Sequence, residues 1–434
     1  MIGDIYILNK NLELIGIADG YKSCIWANRY NELGDCEIYT QATTENFQLY
    51  AIGNYLMRMD DDMVCVIKKI ELDTSTEEGN YIVVTGHDVK CILDQRIIWG
   101  MATCKSKVEL FVRDLVTDAF INPSVMPEKR KVLKENGQQL LYLGNLSDFN
   151  ESTTEQVSYA NIGEKIREYC KNFQWGYRVV LRDTELYFEL YKGADKSDWV
   201  VFSPNYENLD TTQYVEDHTN MGNVALIAGS GEGPERSIQI IGEYKNMSRY
   251  EIYVDARDLN RKISYSQLVE TYPGGTVVQV DSKYYYRVPE QYVQIYTDAQ
   301  LLKLQSTYPS GHVEVVNEIT YFVVYNVGIA EVYSATPGDS DEIVMLDIVY
   351  DTYLLSRGTE KLSEYGAVVT FDGVVEPNVT FQYKKDYFLG DVVTVENEYG
   401  ISLEARIVEI VEVNDDNGYS VEPKFEYIAV SQEE

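Results

Sequence analysis

The chain has 434 residues, room for roughly three domains at about 150 residues each. It carries 37 basic against 70 acidic side chains, a formal charge of −33, which repels phosphate backbones and anionic membrane faces and argues against nucleic-acid binding and membrane-surface roles. No run reaches the ~18–20 apolar residues of a membrane span, the start MIGDIYILNK lacks a secretory signal's basic region, and 45% hydrophobic with 12% aromatic residues excludes intrinsic disorder.

There are 37 Tyr but only 3 His. Tyrosine suits half-buried strands and interfaces, with one dry end and one wet end. Three histidines leave little material for His-based catalysis or metal binding. The six cysteines (24, 36, 65, 91, 104 and 170) form no CxxC pair and sit in apolar or alternating runs, which predicts buried free thiols.

The first hundred residues read as six or seven short strands with turns every 8–12 residues. Residues 4–8 and 12–18 flank Asn9-Lys10-Asn11. The runs SCIWANRY and DCEIYT flank the turn at 31–34, and NYLMRM and VCVIKKIEL flank Asp60-Asp61-Asp62-Met63. Over 105–121 the period changes: Val108, Phe111, Leu115 and Ala119 recur at helical spacing. A second helix fits 160–173, with Asn161 as cap and Glu164 three residues on. Strands follow at WGYRVVLRD and TELYFELY, then NVALIAGS, SIQIIGEY and SRYEIYVDA. The segment 351–366 is helix-like, and three strands end the chain, the last two joined by a turn carrying Asn417-Gly418. Residues 268–288 and 304–324 are alike: both place Thr-Tyr-Pro-x-Gly before an alternating strand pair, at an offset of 36. They read as a duplicated helix–hairpin unit.

Motifs of chemistry give way to plainer readings. Gly229-Ser230-Gly231-Glu232-Gly233 is glycine-rich like a phosphate loop, but an alternating strand follows it and Glu232 and Glu235 oppose an anion, so a hairpin loop is expected. In the run 414–418 the position six past Gly418 is Lys424, where a calcium loop needs Glu. Asp60-Asp61-Asp62 and the acidic run 339–342 read as solvated turns. His87, His218 and His312 have no nucleophile elbow near them. The sequons at Asn145, Asn150, Asn246 and Asn378 carry no weight without a signal peptide.

Two blocks, with shorter ones between, carry a resemblance. The first is IWANRYNELGDCEIY (25–39), followed by GNYL (53–56) and VTG (84–86). The second is YKKDYFLGDVVTV (383–395), followed by Gly400 and RIVE (406–409). Between them lie NVALIAGSGEG (223–233) and VDARDL (254–259). As an ordered set these resemble the tail-hub or baseplate-hub proteins of long-tailed phages and phage-derived contractile particles, a family overlapping the N-terminal part of tail-associated lysins. The resemblance covers about 1–262 and 346–430 and departs from the family between Leu259 and about Leu346, where the duplicated unit intervenes.

The resemblance implies a mainly β fold with α+β parts. Two small β-barrel domains are expected, at 1–100 and, discontinuously, at 201–262 with 346–434. An α+β domain occupies 101–200, and 263–345 is an insertion. It implies a non-enzymatic homotrimeric hub, in which six barrels adapt a six-fold tail tube or distal ring above to a three-fold tip or spike below. A tape-measure protein is a further contact, and DNA is met only in transit. No cofactor, metal, catalytic residue or membrane anchor comes with this region. The expected place is the virion tail tip, assembled in the bacterial cytoplasm. Because the chain ends directly after its last strand, a lysin or spike is expected on a separate polypeptide. The assembly residues expected are Trp26, Arg29, Tyr30, Gly34, Glu37, Tyr387, Gly390, Asp391 and Arg406. Trp26 and Tyr387 fill barrel cores or ring contacts, and Gly34 and Gly390 permit turns. Arg29 with Glu37, and Arg406 with Asp391, are candidate cross-strand ion pairs. The rival readings are a carbohydrate- or receptor-binding tip module, with the 263–345 insertion as its place, and a cell-wall hydrolase using a carboxylate pair.

Overall fold

The computed structural model describes residues 3–75, 79–104, 107–153, 155–316, 319–366, 368–375 and 380–427. The sequon at Asn378 lies outside them.

Most expected strands form, but the largest sheet is not a barrel. Thirteen strands share it. Its path runs Leu209–Asp217, Val368–Val375, Gly418–Tyr427, Ser402–Asp415, Ser23–Arg29, Asp35–Gln41, Gly79–Asp88, Val64–Ser75, Tyr55–Arg58, Ile5–Leu8, Leu14–Ile17, with Val392–Glu396 and Val201–Phe202 off that path. The expectation of two closed barrels is corrected here. Strand Ser23–Arg29 does not return to the first strand of its own half. It spends its second edge on Ser402–Asp415, in the register Glu409↔Arg29 to Asn414↔Cys24. The two halves are therefore one open sheet, with separate cores on either side of the seam. One core holds Trp26, Cys36, Ile38 and Leu56; the other holds Phe202, Tyr387, Val393 and Phe425.

The strands Val224–Ala228, Ile238–Ile241 and Glu251–Asp255 stand apart from the large sheet as a three-stranded sheet of their own. One face packs on the helix Asp347–Ser363, whose Gly358 lies so close to Ile227 that a Cβ would come within 2.6 Å of it.

The middle of the chain is mixed, as its periods predict. Helix Val108–Val116 continues as a π-turn over Thr117–Ile121, burying Val108, Phe111, Leu115 and Ala119. Helix Ile162–Asn172 starts where Asn161 accepts a hydrogen bond from the Glu164 N–H at 3.1 Å. Both helices join the antiparallel pair Gly176–Arg182 and Glu185–Tyr191 in one core around Trp175. A short helix, Thr44–Leu49, interrupts the first half; its six residues bury nothing fully and give no helical stripe.

The two Thr-Tyr-Pro units have matching structures. Helix Tyr265–Thr271 precedes the hairpin Thr276–Val280/Lys283–Gln294. Helix Asp298–Thr307 precedes His312–Val316/Ile319–Val332. Leu268 and Leu304 are both buried, and both helices end on a Tyr–N–H to Leu–C=O bond of 2.8 Å. A Cβ on Gly275 would strike the Tyr286 ring, and one on Gly311 the Phe322 ring, at the offset of 36 seen in the sequence. All six cysteines are free; five are buried and Cys91 is half-buried.

Candidate functional site

The candidate site is the joint where the halves of the large sheet meet the middle α+β unit. Strand Ser23–Arg29 delivers Arg29 and Tyr30 to it. Arg29 stands opposite Glu409 in the ladder and binds it through Nε at 2.5 Å, while its Nη1 reaches Asp35 and the Leu33 carbonyl at 2.6 Å. The expected partner Glu37 is exposed and faces Ile25 and Thr85 in the ladder, so the Arg29–Glu37 pair does not form. Register explains the difference: Asp35 stands opposite Ala27, two residue pairs nearer to Arg29 than Glu37 opposite Ile25.

Tyr30 is fully buried. Its hydroxyl donates toward the Gln174 and Tyr191 carbonyls at 3.1 and 3.3 Å. Its ring meets Tyr191 edge-on at 5.2 Å and lies 5.4 Å from the Arg406 guanidinium. The ring fits only because Gly176 and Gly390 have no side chain: a Cβ would come within 2.3 and 2.4 Å of it. Gly390 also has φ +93°, a region that favours glycine. Gly34 answers a different need. Its φ is ordinary, but a Cβ would meet the Ala27 carbonyl at 2.6 Å and Met63 Sδ at 2.5 Å.

Arg406 does not pair with Asp391. Its Nη1 donates to the Gly390 carbonyl at 2.6 Å. Asp391 is buried and accepts from the Ala194 and Phe388 N–H groups at 2.8 and 2.9 Å and from Lys196 at 2.8 Å. Tyr387 is buried in the second core against Phe202, at 5.2 Å. Trp26 is buried in the first core, with the Arg58 guanidinium 5.5 Å from its ring. Of the nine expected residues, Arg29, Tyr30, Gly390, Asp391 and Arg406 converge on the joint. Gly34 shapes the adjoining turn, Trp26 and Tyr387 fill the flanking cores, and Glu37 stands outside.

An ion network beneath the joint was not foreseen. Arg58 is fully buried and makes a two-pronged contact with Glu412 at 2.9 and 3.1 Å and another with Asp60 at 3.0 and 2.6 Å. Lys384 closes it from the second half, 2.9 Å from Asp61 and 3.0 Å from Glu412. The reading of Asp60-Asp61-Asp62 as a solvated turn fails for Asp61, whose side chain is 2% exposed. Burial raises its carboxyl above the usual range, against the pull of Lys384 and Arg58. A cleft of about 580 Å³ opens beside the joint, and its cations are already matched: Lys90 by Asp88, Arg178 by Asp62 and Glu189, Lys192 by Glu151. It is a seam of ion pairs between units.

A second cluster ties the middle unit to helix Asp347–Ser363. Lys165 meets Glu155 at 2.6 Å, Glu168 at 3.0 Å, and Glu360. Burial, then the Glu155 charge, raises Glu360 well above the usual carboxyl range. Burial would raise Glu168 too, but its hydrogen bond with Glu360 and the Lys165 charge bring it down to about 2. The lowered Glu168 contributes stability above its ordinary pKa, lost as pH falls from about 4.5 toward about 2. Unfolding free energies of wild type and Glu168→Gln, from chemical denaturation, are therefore expected to differ by roughly 2–3 kcal/mol at neutral pH and to converge near pH 2. The raised Glu360 acts oppositely, costing stability as pH climbs above its ordinary pKa, so Glu360→Gln narrows the loss over that rise.

Among the described residues, no three His, Cys, Asp or Glu are arranged to hold a metal ion, and no helix is long and apolar enough to cross a membrane.

Comparison with known proteins decides the family. The model of the siphovirus ReqiPepy6 Gp37-like proteins matches residues 4–425. The chain belongs to that family. No curated protein matches it. Among solved structures, the 43 kDa tail protein of prophage MuSo2 from Shewanella oneidensis shares its fold, with TM-score 0.50 and 10% identity over 97% of this chain and 98% of that one. The tail protein of Neisseria meningitidis MC58 aligns with TM-score 0.49 and 9% identity over 98% and 97% of the two chains. The prophage tail protein gp18 of Listeria monocytogenes EGD-e aligns with 0.45 and 11% over 99% and 96%. The resemblance read from the sequence blocks thus holds as phage family and tail-protein fold, and the fold runs through 263–345 as well.

Proposed function

We propose that this Gp37-like chain is a non-enzymatic structural hub of a phage tail, a homotrimer that adapts the six-fold tube or distal ring to a three-fold tip. The observation that carries this reading is the joint. Segments near residues 30, 60, 176, 193, 390 and 412 lock into one unit through buried ion pairs and glycine-only contacts, which makes a rigid frame rather than hinged modules around a cleft. A frame of that kind suits a part that holds neighbours in fixed geometry. The acidic surface suits a lumen that repels passing DNA. Light scattering at low and high salt is expected to give a trimer, favoured by salt because three chains of −33 repel one another. A monomer at every salt and concentration overturns self-trimerisation.

A second reading, glycan binding at the tip, is favoured by one surface. In the second Thr-Tyr-Pro unit the His312 ring stacks on Tyr325 at 5.9 Å, beside exposed Tyr292. Glycan-array binding that disappears in Tyr325→Ala supports it; no array signal removes it.

A further inference from the structure

The three-stranded sheet has a covered face and a bare one. Its register sets Ile240, Leu226 and Tyr253 side by side across the strands, and all three point away from helix Asp347–Ser363. Ile238 extends the row, and Met247, in the loop between the second and third strands, is 91% exposed. Contiguous apolar surface of this kind marks an interface. The charges on the face are already neutralised within the chain: Glu251 by Arg249 at 2.6 Å and Asp255 by Arg257 at 2.8 Å. Residues 235–262 hold six basic and five acidic side chains, against 37 and 70 in the whole chain.

We propose that a second copy of this chain covers this face, and that it does so head to tail. This rests on the trimeric reading above. Two copies at −33 repel nearly everywhere, so close approach is cheapest where charge is balanced and apolar area is available. A cationic partner is drawn instead to the acidic remainder of the surface. The chain also offers a second apolar surface on another sheet, built on a strand with no charged residue of its own. Strand Leu14–Ile17 is a terminal strand of the large sheet's path and bonds only to Ile5–Leu8 among the described strands, with Leu14, Ile15 and Ile17 exposed. Two unlike apolar surfaces on one chain make a heterologous contact, the kind that closes into rings.

The test uses two full-length variants, Ile240→Glu on the face and Ile15→Glu on the edge, each checked for native circular dichroism. At high salt, wild type is expected as a trimer and each variant alone as a monomer, a threefold fall in mass. An equimolar mixture is expected to form dimers, because the intact edge of the first variant still meets the intact face of the second. A trimeric Ile240→Glu overturns the proposal. A trimeric Ile15→Glu beside a monomeric Ile240→Glu also overturns it, showing that the face meets something other than the edge. A monomeric wild type overturns the trimeric reading itself, before either variant is considered.

Discussion

Arg58→Ala is expected to destabilise the chain by about 3–5 kcal/mol, the range for removing one partner of a buried ion pair. Arg58 is fully buried, and its removal leaves Glu412 and Asp61, each almost without solvent, to share Lys384 with Asp60, which it contacts at 3.2 Å. The loss is larger than that of a surface pair because neither carboxylate can recover water without opening the seam. Chemical denaturation at neutral pH measures it. Trp26 packs beside the guanidinium at 5.5 Å, so its fluorescence reports the same transition. A loss below about 1 kcal/mol would mean that the network is open to water. Replacing Arg58 with Met, which fills similar space without charge, still strands the carboxylates and is expected to rescue little.

Gly193→Ala is expected to be as damaging through a different mechanism. A Cβ there would lie 2.0 Å from the carbonyl carbon and oxygen of Gly390 and 2.4 Å from the Asp391 N–H nitrogen. These are backbone atoms, so no side chain can swing aside. Gly390 is itself fixed at φ +93° against the Tyr30 ring. Separating the two segments would break the Asp391 contacts with Ala194 and Lys196. A loss above about 4 kcal/mol, or failure to fold, is the expected result. Gly366→Ala, where the nearest atom is 4.0 Å from the added Cβ, serves as the control and should fall within about 0.5 kcal/mol of wild type.

The strands, the two amphipathic helices, the Asn161 cap and the duplicated unit were legible because they depend on local period and turn chemistry. The joint was legible only in part, since residues that act through tertiary contact leave no local trace. Glu412 shows why. In Ser402–Asp415 the buried positions run 405 and 407, then 410 and 412, because a bulge between Ile407 and Glu409 adds a residue and reverses the alternation. Read with strict period two, Val411 and Val413 face the core and Glu412 faces water. The bulge turns Glu412 inward to Arg58. Asp61 was hidden differently: among 70 acidic residues a run of three aspartates looks like an ordinary turn, and the Lys384 that meets its buried middle member arrives from the far end of the chain. The barrels were misjudged because a strand's second neighbour is chosen by the whole chain, not by its own hairpin.

That choice of neighbour also sets a schedule for the nascent protein. Strand Ser23–Arg29 emerges from the ribosome among the first elements, but Glu409, which pairs with Arg29, follows 380 residues later. At about 5–20 residues per second the gap lasts on the order of 20–75 s. Throughout it the early half presents an open edge, and Arg58 waits without Glu412. A sheet closed by its two distant ends is slow to complete and sticky until it does. Holding that edge apart from neighbouring nascent chains is therefore a task for the translating cell's chaperones before it is one for the assembled tail.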